Sequence, residues 1–82
     1  MNMKIKVLGM GCKNCERLEE NIKEAVRNLR LDADIEKIED IEQISAYSVM
    51  KTPGLVVDGK VILTGQIPSS KKLMRLLSKH QS

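Results

Sequence analysis

The 82-residue sequence predicts an α/β fold in the order β-α-β-α-β-β-α, with one four-stranded mixed sheet flanked by three helices. Three observations carry that reading. Met3, Ile5 and Val7 alternate with Lys4 and Lys6, the period-two pattern of a half-buried strand. Leu18, Ile22, Ala25, Val26 and Leu29 then recur at helical spacing. Leu55-Val56-Val57 and Val61-Ile62-Leu63 are apolar, β-branched-rich runs split by Asp58-Gly59, the signal of a tight hairpin. A strand, a helix and a second strand give a right-handed crossover with parallel strands, and the hairpin adds an antiparallel pair.

The elements follow in chain order. The first strand ends at Gly9, and Gly11-Cys12-Lys13-Asn14-Cys15 leads into the long helix. Acids crowd its early turns and Arg27 and Arg30 its end, as the helix dipole favours. Leu31, Ala33 and Ile35 alternate with Asp32, Asp34 and Glu36, predicting the second strand. Asp40 with Gln43 resembles an N-terminal capping pair for a short helix through Ile41, Ile44 and Tyr47, broken by Pro53 and Gly54. Gly65 and Pro68 end the hairpin. Ser69 or Ser70 can cap a last helix whose Leu73, Met74, Leu76 and Leu77 form an apolar face.

Length and composition set limits on function. Residues 1–82 form a single domain, with no room for two cores. The chain is 41% hydrophobic and 30% charged, ordinary for a globular protein, but Tyr47 is its one aromatic residue, so the core must be aliphatic. That scarcity argues against nucleic-acid binding through base stacking. The net charge of +3 is uneven: residues 69–82 hold four of the fourteen cations and no acid, leaving ten cations against eleven acids elsewhere. The basic excess therefore belongs to the C-terminal helix, a solvated face or a docking patch for an acidic partner. No run approaches the ~18 apolar residues that span a bilayer, and the N-terminus lacks the continuous apolar stretch of a secretory signal. A cytoplasmic, membrane-independent protein is expected. In a reducing compartment two cysteines are reactive or metal-binding, not a permanent bridge.

Cys12 and Cys15 stand three apart at a strand–helix junction. Residues i and i+3 of a first helical turn lie about 5–6 Å apart, a separation that a disulfide accepts, so dithiol and bridged forms are both within reach. The helix N-terminus offers unsatisfied N–H groups and partial positive charge, which stabilise a thiolate. Cys12, at or just before that turn, feels this most, and Lys13 adds a nearby cation. The chemistry predicts Cys12 as nucleophile and Cys15 as resolving thiol. The alternative is a soft-metal site, with Met10, Cys12 and Cys15 holding Cu(I). A closed zinc site needs four ligands, and His80 lies too far along the chain to join the pair.

Two resemblances follow from these residues. Residues 3–26, with Gly9-Met10-Gly11-Cys12-Lys13-Asn14-Cys15, look like a heavy-metal-associated domain, which implies a βαββαβ ferredoxin-like fold. The predicted short helix, hairpin and final helix do not match that order. The whole chain resembles the thioredoxin-like superfamily in its smallest form, the glutaredoxin-sized redox-active disulfide proteins of archaea and bacteria. Cys12-Lys13-Asn14-Cys15, Lys51-Thr52-Pro53 before the hairpin, Leu55-Val56-Val57-Asp58-Gly59-Lys60, Gly65 and the closing amphipathic helix carry the likeness.

The second resemblance implies a minimal thioredoxin-like fold and a thiol–disulfide oxidoreductase. It makes Pro53 a cis-proline opposite the cysteines and has Thr52 offer backbone hydrogen bonds to an extended substrate segment. Gly11, Lys13, Thr52, Pro53 and Gly65 would form the substrate surface around Cys12 and Cys15. Gly11 replaces the tryptophan typical before the first cysteine. Lys6 replaces a buried acid of the family, and its alternation with Ile5 and Val7 points it outward. Gln66-Ile67-Pro68-Ser69 departs from the glutathione-reading segment of glutaredoxins. The expected partners are a disulfide-containing protein and an upstream reductase, with no metal and no cofactor beyond the Cys12–Cys15 redox disulfide, in a monomer. Tyr47 is expected half-buried with its hydroxyl wet.

Overall fold

In the computed structural model the described residues are 3–9, 13–48 and 51–81, with side chains described as far as Lys79. The elements are β1 (Met3–Leu8), α1 (Lys13–Leu29), β2 (Ala33–Ile38), α2 (Ile41–Ala46), β3 (Gly54–Val57), β4 (Lys60–Thr64) and α3 (Ser70–Gln81). The sheet order is β2-β1-β3-β4, with β1 and β2 parallel and the other two pairs antiparallel. The expected element order and mixed sheet are therefore present. A ferredoxin-like arrangement is not: one strand follows α1, and the described chain closes in a helix.

The period-two pattern of β1 sorts its side chains onto two faces. Met3, Ile5 and Val7 face α1 and α3, and with Leu18, Ile22, Ala25, Leu55, Val57, Leu73 and Leu77 they form the main core. Leu8 faces the other way and joins Ile38, Ile44 and Val56 in a smaller cluster, against which Tyr47 packs. α1 and α3 run side by side on the first face, linked by Asn21 Nδ2 donating to the Pro68 carbonyl at 3.0 Å.

Two elements end differently from the sequence expectation. β2 begins at Ala33, not Leu31, because Leu31 is used to close α1. Its N–H donates to the Val26 carbonyl at 3.0 Å, and Arg30 takes the left-handed region at φ 54°, the 6→1 closure of a Schellman-type cap. α2 stops at Ala46, well before Pro53, with Tyr47 as its C-cap and Ser48 at φ 59°. At its other end Asp40 Oδ1 accepts from the Glu42 N–H at 3.0 Å, as the capping pattern predicts. The Asp58-Gly59 hairpin has positive φ at both residues (49° and 85°), the requirement of a type I′ turn. A bulge opposite Leu55/Val56 lets Ile62 and Leu63 both pack toward the main core. Ser69 caps α3, its Oγ accepting from Lys72 N–H at 3.4 Å.

Candidate functional site

The site is built at the end of the sheet where β1 stops, β3 starts and β4 stops. Leu8 pairs with Gly54, and Gly54 with Thr64. One step further along the same register bring Gly9, Pro53 and Gly65 into a row. That row is tied by hydrogen bonds: Gly9 N–H donates to the Ile38 carbonyl at 3.0 Å, and Gly65 N–H to the Pro53 carbonyl at 2.7 Å.

α1 sets Cys15 above this row. Its first turn starts at the exposed Lys13, and Cys15 is fully buried at the start of the stripe that continues through Leu18, Ile22 and Ala25. Cys15 is disulfide-bonded. Gly11, Cys12 and Met10 lie outside the described residues. The N-terminal N–H groups of α1 open toward this junction and favour negative charge there.

Gly9, a strand end in the sequence pattern, has a second role in the fold. It continues the Ile5, Val7 alternation and faces α1, and a Cβ at this position would collide with Cys15 Sγ and press on its Cβ at 3.0 Å. Glycine is required here by close approach, not by turn geometry. The signal was available: an apolar-face position in phase with Ile5 and Val7 holds no side chain.

The Thr52–Pro53 peptide bond is cis and Pro53 is buried, while Thr52 is exposed. Gly65 takes φ 67°, and a Cβ there would meet Lys51 Cβ at 3.1 Å. Pro53 and Gly65 are thus adjacent, Thr52 precedes them, and Cys15 stands over Gly9 on the neighbouring strand. Lys13, two residues before Cys15 on α1, is exposed.

Lys6 lies on the face opposite the one through which Gly9 meets Cys15. It is half-buried, with Nζ donating to the Tyr47 hydroxyl at 3.2 Å and lying 5.9 Å from the ring centroid. Tyr47 is half-buried, as expected. The hydrogen bond to Tyr47 is the main reason that the Lys6 pKa is raised above its ordinary value of 10.5; the Tyr47 charge and Glu36 add to the rise and desolvation opposes it. An ammonium on that face is not placed to exchange a proton with Cys15. No three His, Cys, Asp or Glu side chains cluster into a metal site among the described residues.

The Thioredoxin domain family matches residues 3–78. The chain belongs to the thioredoxin family. Among curated relatives, a thioredoxin of Methanothermobacter thermautotrophicus is 42% identical over 76 residues, covering 93% of this chain and 99% of the relative. A thioredoxin of Methanocaldococcus jannaschii is 36% identical over 76 residues, covering 93% and 87%. Among solved structures, malarial thioredoxin-2 superposes with a TM-score of 0.73 at 16% identity, covering 96% of this chain and 84% of that one. The germline thioredoxin Deadhead of Drosophila superposes with a TM-score of 0.67 at 19% identity, covering 95% and 80%. These distant structures show the shared fold. Thioredoxins are thiol–disulfide oxidoreductases that act on protein disulfides and are restored by a reductase, and this chain is an enzyme of that class. No helix among its described residues is long and apolar enough to cross a membrane.

Proposed function

We propose that the chain reduces protein disulfides through Cys12 and Cys15, with Cys12 as nucleophile. Cys12 thiolate attacks one sulfur of a substrate disulfide, forming a mixed disulfide and releasing the other sulfur as a thiol after protonation. Cys15 then attacks the Cys12 sulfur, releasing the second substrate thiol and leaving a Cys12–Cys15 disulfide. Two electrons pass to the substrate, and a separate reductase returns two electrons and two protons. No metal or organic cofactor takes part. The enzyme works as a monomer in the cytoplasm, where reductants keep it cycling.

The observation that carries this reading is the close approach of Gly9 to a buried, disulfide-bonded Cys15 in the first turn of α1. Burial suits a resolving thiol that must wait, and a cysteine three residues earlier in the sequence, just ahead of the start of α1, suits an ionised nucleophile. Thr52, exposed beside cis-Pro53, offers its backbone to an extended substrate segment near Lys13 and Gly65, and the family resemblance adds Gly11 to that surface. Serine variants test the assignment. Cys12→Ser is expected to reduce a protein disulfide no faster than the uncatalysed background. Cys15→Ser is expected to accumulate the mixed disulfide, read as a mass increase equal to the bound substrate. Retained turnover in either variant overturns the assignment.

A further inference from the structure

Charged side chains are sorted along the sheet. Residues 30–48, which hold β2 and α2, carry two cations (Arg30 and Lys37) against Asp32, Asp34, Glu36, Glu39, Asp40 and Glu42, a net of −4. Residues 51–81, which hold β3, β4 and α3, carry six cations against Asp58 alone, a net of +5. Residues 1–29, with β1 and α1, have six cations and four acids, a net of +2. Because the strand order is β2-β1-β3-β4, the acidic segment supplies one edge strand (β2) and the basic segment the other (β4). α2 lies on one face of the sheet and α3 beside α1 on the other, and the Gly9–Cys15 junction at the end of β1 lies between the two edge strands.

The sorting persists on the surface. Lys51, Lys60, Lys71, Lys72, Arg75 and Lys79 are all exposed, and on α3 they sit opposite the buried Leu73 and Leu77. Asp58, the one acid of that half, accepts the Lys4 N–H through Oδ1 at 2.9 Å and so remains tied to the hairpin end. In residues 30–48 all six acids are exposed. The molecule measures 31 × 23 × 16 Å, so at about 10 mM salt, where the screening length is about 30 Å, both edges act on anything at the junction.

We propose that this polarity selects the substrate: the site takes a peptide segment whose reacting cysteine is flanked by acids on one side and cations on the other. The acids lie toward β4 and α3 and the cations toward β2 and α2. The proposal rests on the disulfide-reducing reading above and names its substrate class. A segment of this kind need carry no net charge, since the opposed edges turn it without drawing it in. A uniform polyanion would be held by one edge and repelled by the other.

The test uses two synthetic peptides of identical composition, each with a central cysteine disulfide-linked to 2-mercaptoethanol. One carries glutamates before the cysteine and lysines after it; the other has the reverse order. At about 10 mM salt one order is expected to be reduced roughly tenfold faster than the other, with the ratio falling toward one at high salt. A variant with Glu36, Glu39 and Glu42→Lys and Lys71, Lys72 and Arg75→Glu keeps the net charge and is expected to invert the preference. Equal rates for the two orders, a preference indifferent to salt, or one that keeps its sign in a variant active on 2-hydroxyethyl disulfide overturns the proposal. That neutral disulfide separates the two readings: wild-type protein that reduces it while treating both peptides alike loses only the charge selection, whereas wild-type protein that reduces neither it nor the peptides loses the redox reading as well.

Discussion

The two faces of the sheet are built to different rules. Toward α1 and α3 the strands present Met3, Ile5, Val7, Leu55 and Val57, a continuous aliphatic layer closed by Leu18, Ile22, Leu73 and Leu77. Toward α2 the same strands present Leu8, Ile38 and Val56 at one end, and Lys4, Lys6, Asp34 and Glu36 beyond it. The six residues of α2 cover only the apolar end, and a cavity of about 280 Å³ lined by the four charged side chains and Ile5 lies past it. The covered end is also the end where β1 runs into Gly9 and β3 follows Pro53. Packing on the second face is thus concentrated behind the reacting junction, while the first face supports the whole sheet.

That division predicts unequal responses to the same kind of deletion. Leu18→Ala, in the main core, is expected to lose roughly 3 kcal/mol of stability, since a fully buried leucine leaves a cavity among interlocked neighbours. Ile44→Ala, under the short α2, is expected to lose less, about 2 kcal/mol, because a six-residue helix can settle toward the sheet. Urea unfolding with an unchanged slope measures both. Equal losses would show that the small cluster is as tightly interlocked as the large one.

The next largest effect falls where the first face meets the site. Gly9→Ala adds one methyl against Cys15 Sγ and is expected to cost roughly 1–3 kcal/mol, with slower disulfide reduction as Cys15 shifts. A double-mutant cycle sharpens this: in a Cys15→Ala background the same Gly9→Ala change is expected to be tolerated far better, since the sulfur is gone. Additive losses would mean that Gly9 answers to something other than Cys15.

Legibility in the sequence followed the range of the interactions. Asp58-Gly59 could be read directly because a type I′ turn is decided by its own two residues. The alternations of β1 and β2 and the apolar stripes of α1 and α3 likewise depend on local period, and they placed the core. The alternation extends β2 back to Leu31, whereas the Leu31 bond to Val26 belongs to a helix closure that Arg30, a residue with no left-handed preference, does not announce. Gly9 looks like a mere strand end in the sequence, since its reason is a side chain from another element. The outward turn of Lys6 was legible from alternation. Its half-burial was not, because Tyr47 reaches it from 41 residues away. The cis bond at Pro53 came only with family resemblance, as nothing local to Thr52-Pro53 dictates it.

The smallest effect tests the charged side of the comparison. Lys6 Nζ donates to Tyr47, and that bond holds its pKa above the ordinary 10.5. A raised value in the folded state means that the protonated form is favoured by folding. Its contribution is therefore complete below pH 10.5 and fades as pH climbs through the folded value. Removing the hydroxyl with Tyr47→Phe is expected to bring the Lys6 titration, followed by NMR of its side-chain carbons, back toward 10.5. The stability gap between wild type and this variant is expected to be slight, because Lys6 is reached by solvent, and to narrow as the pH rises past that point. An unmoved titration would transfer the cause to Glu36, across β1 and β2, and the open end of the sheet would then owe its order to its own charges and nothing to α2.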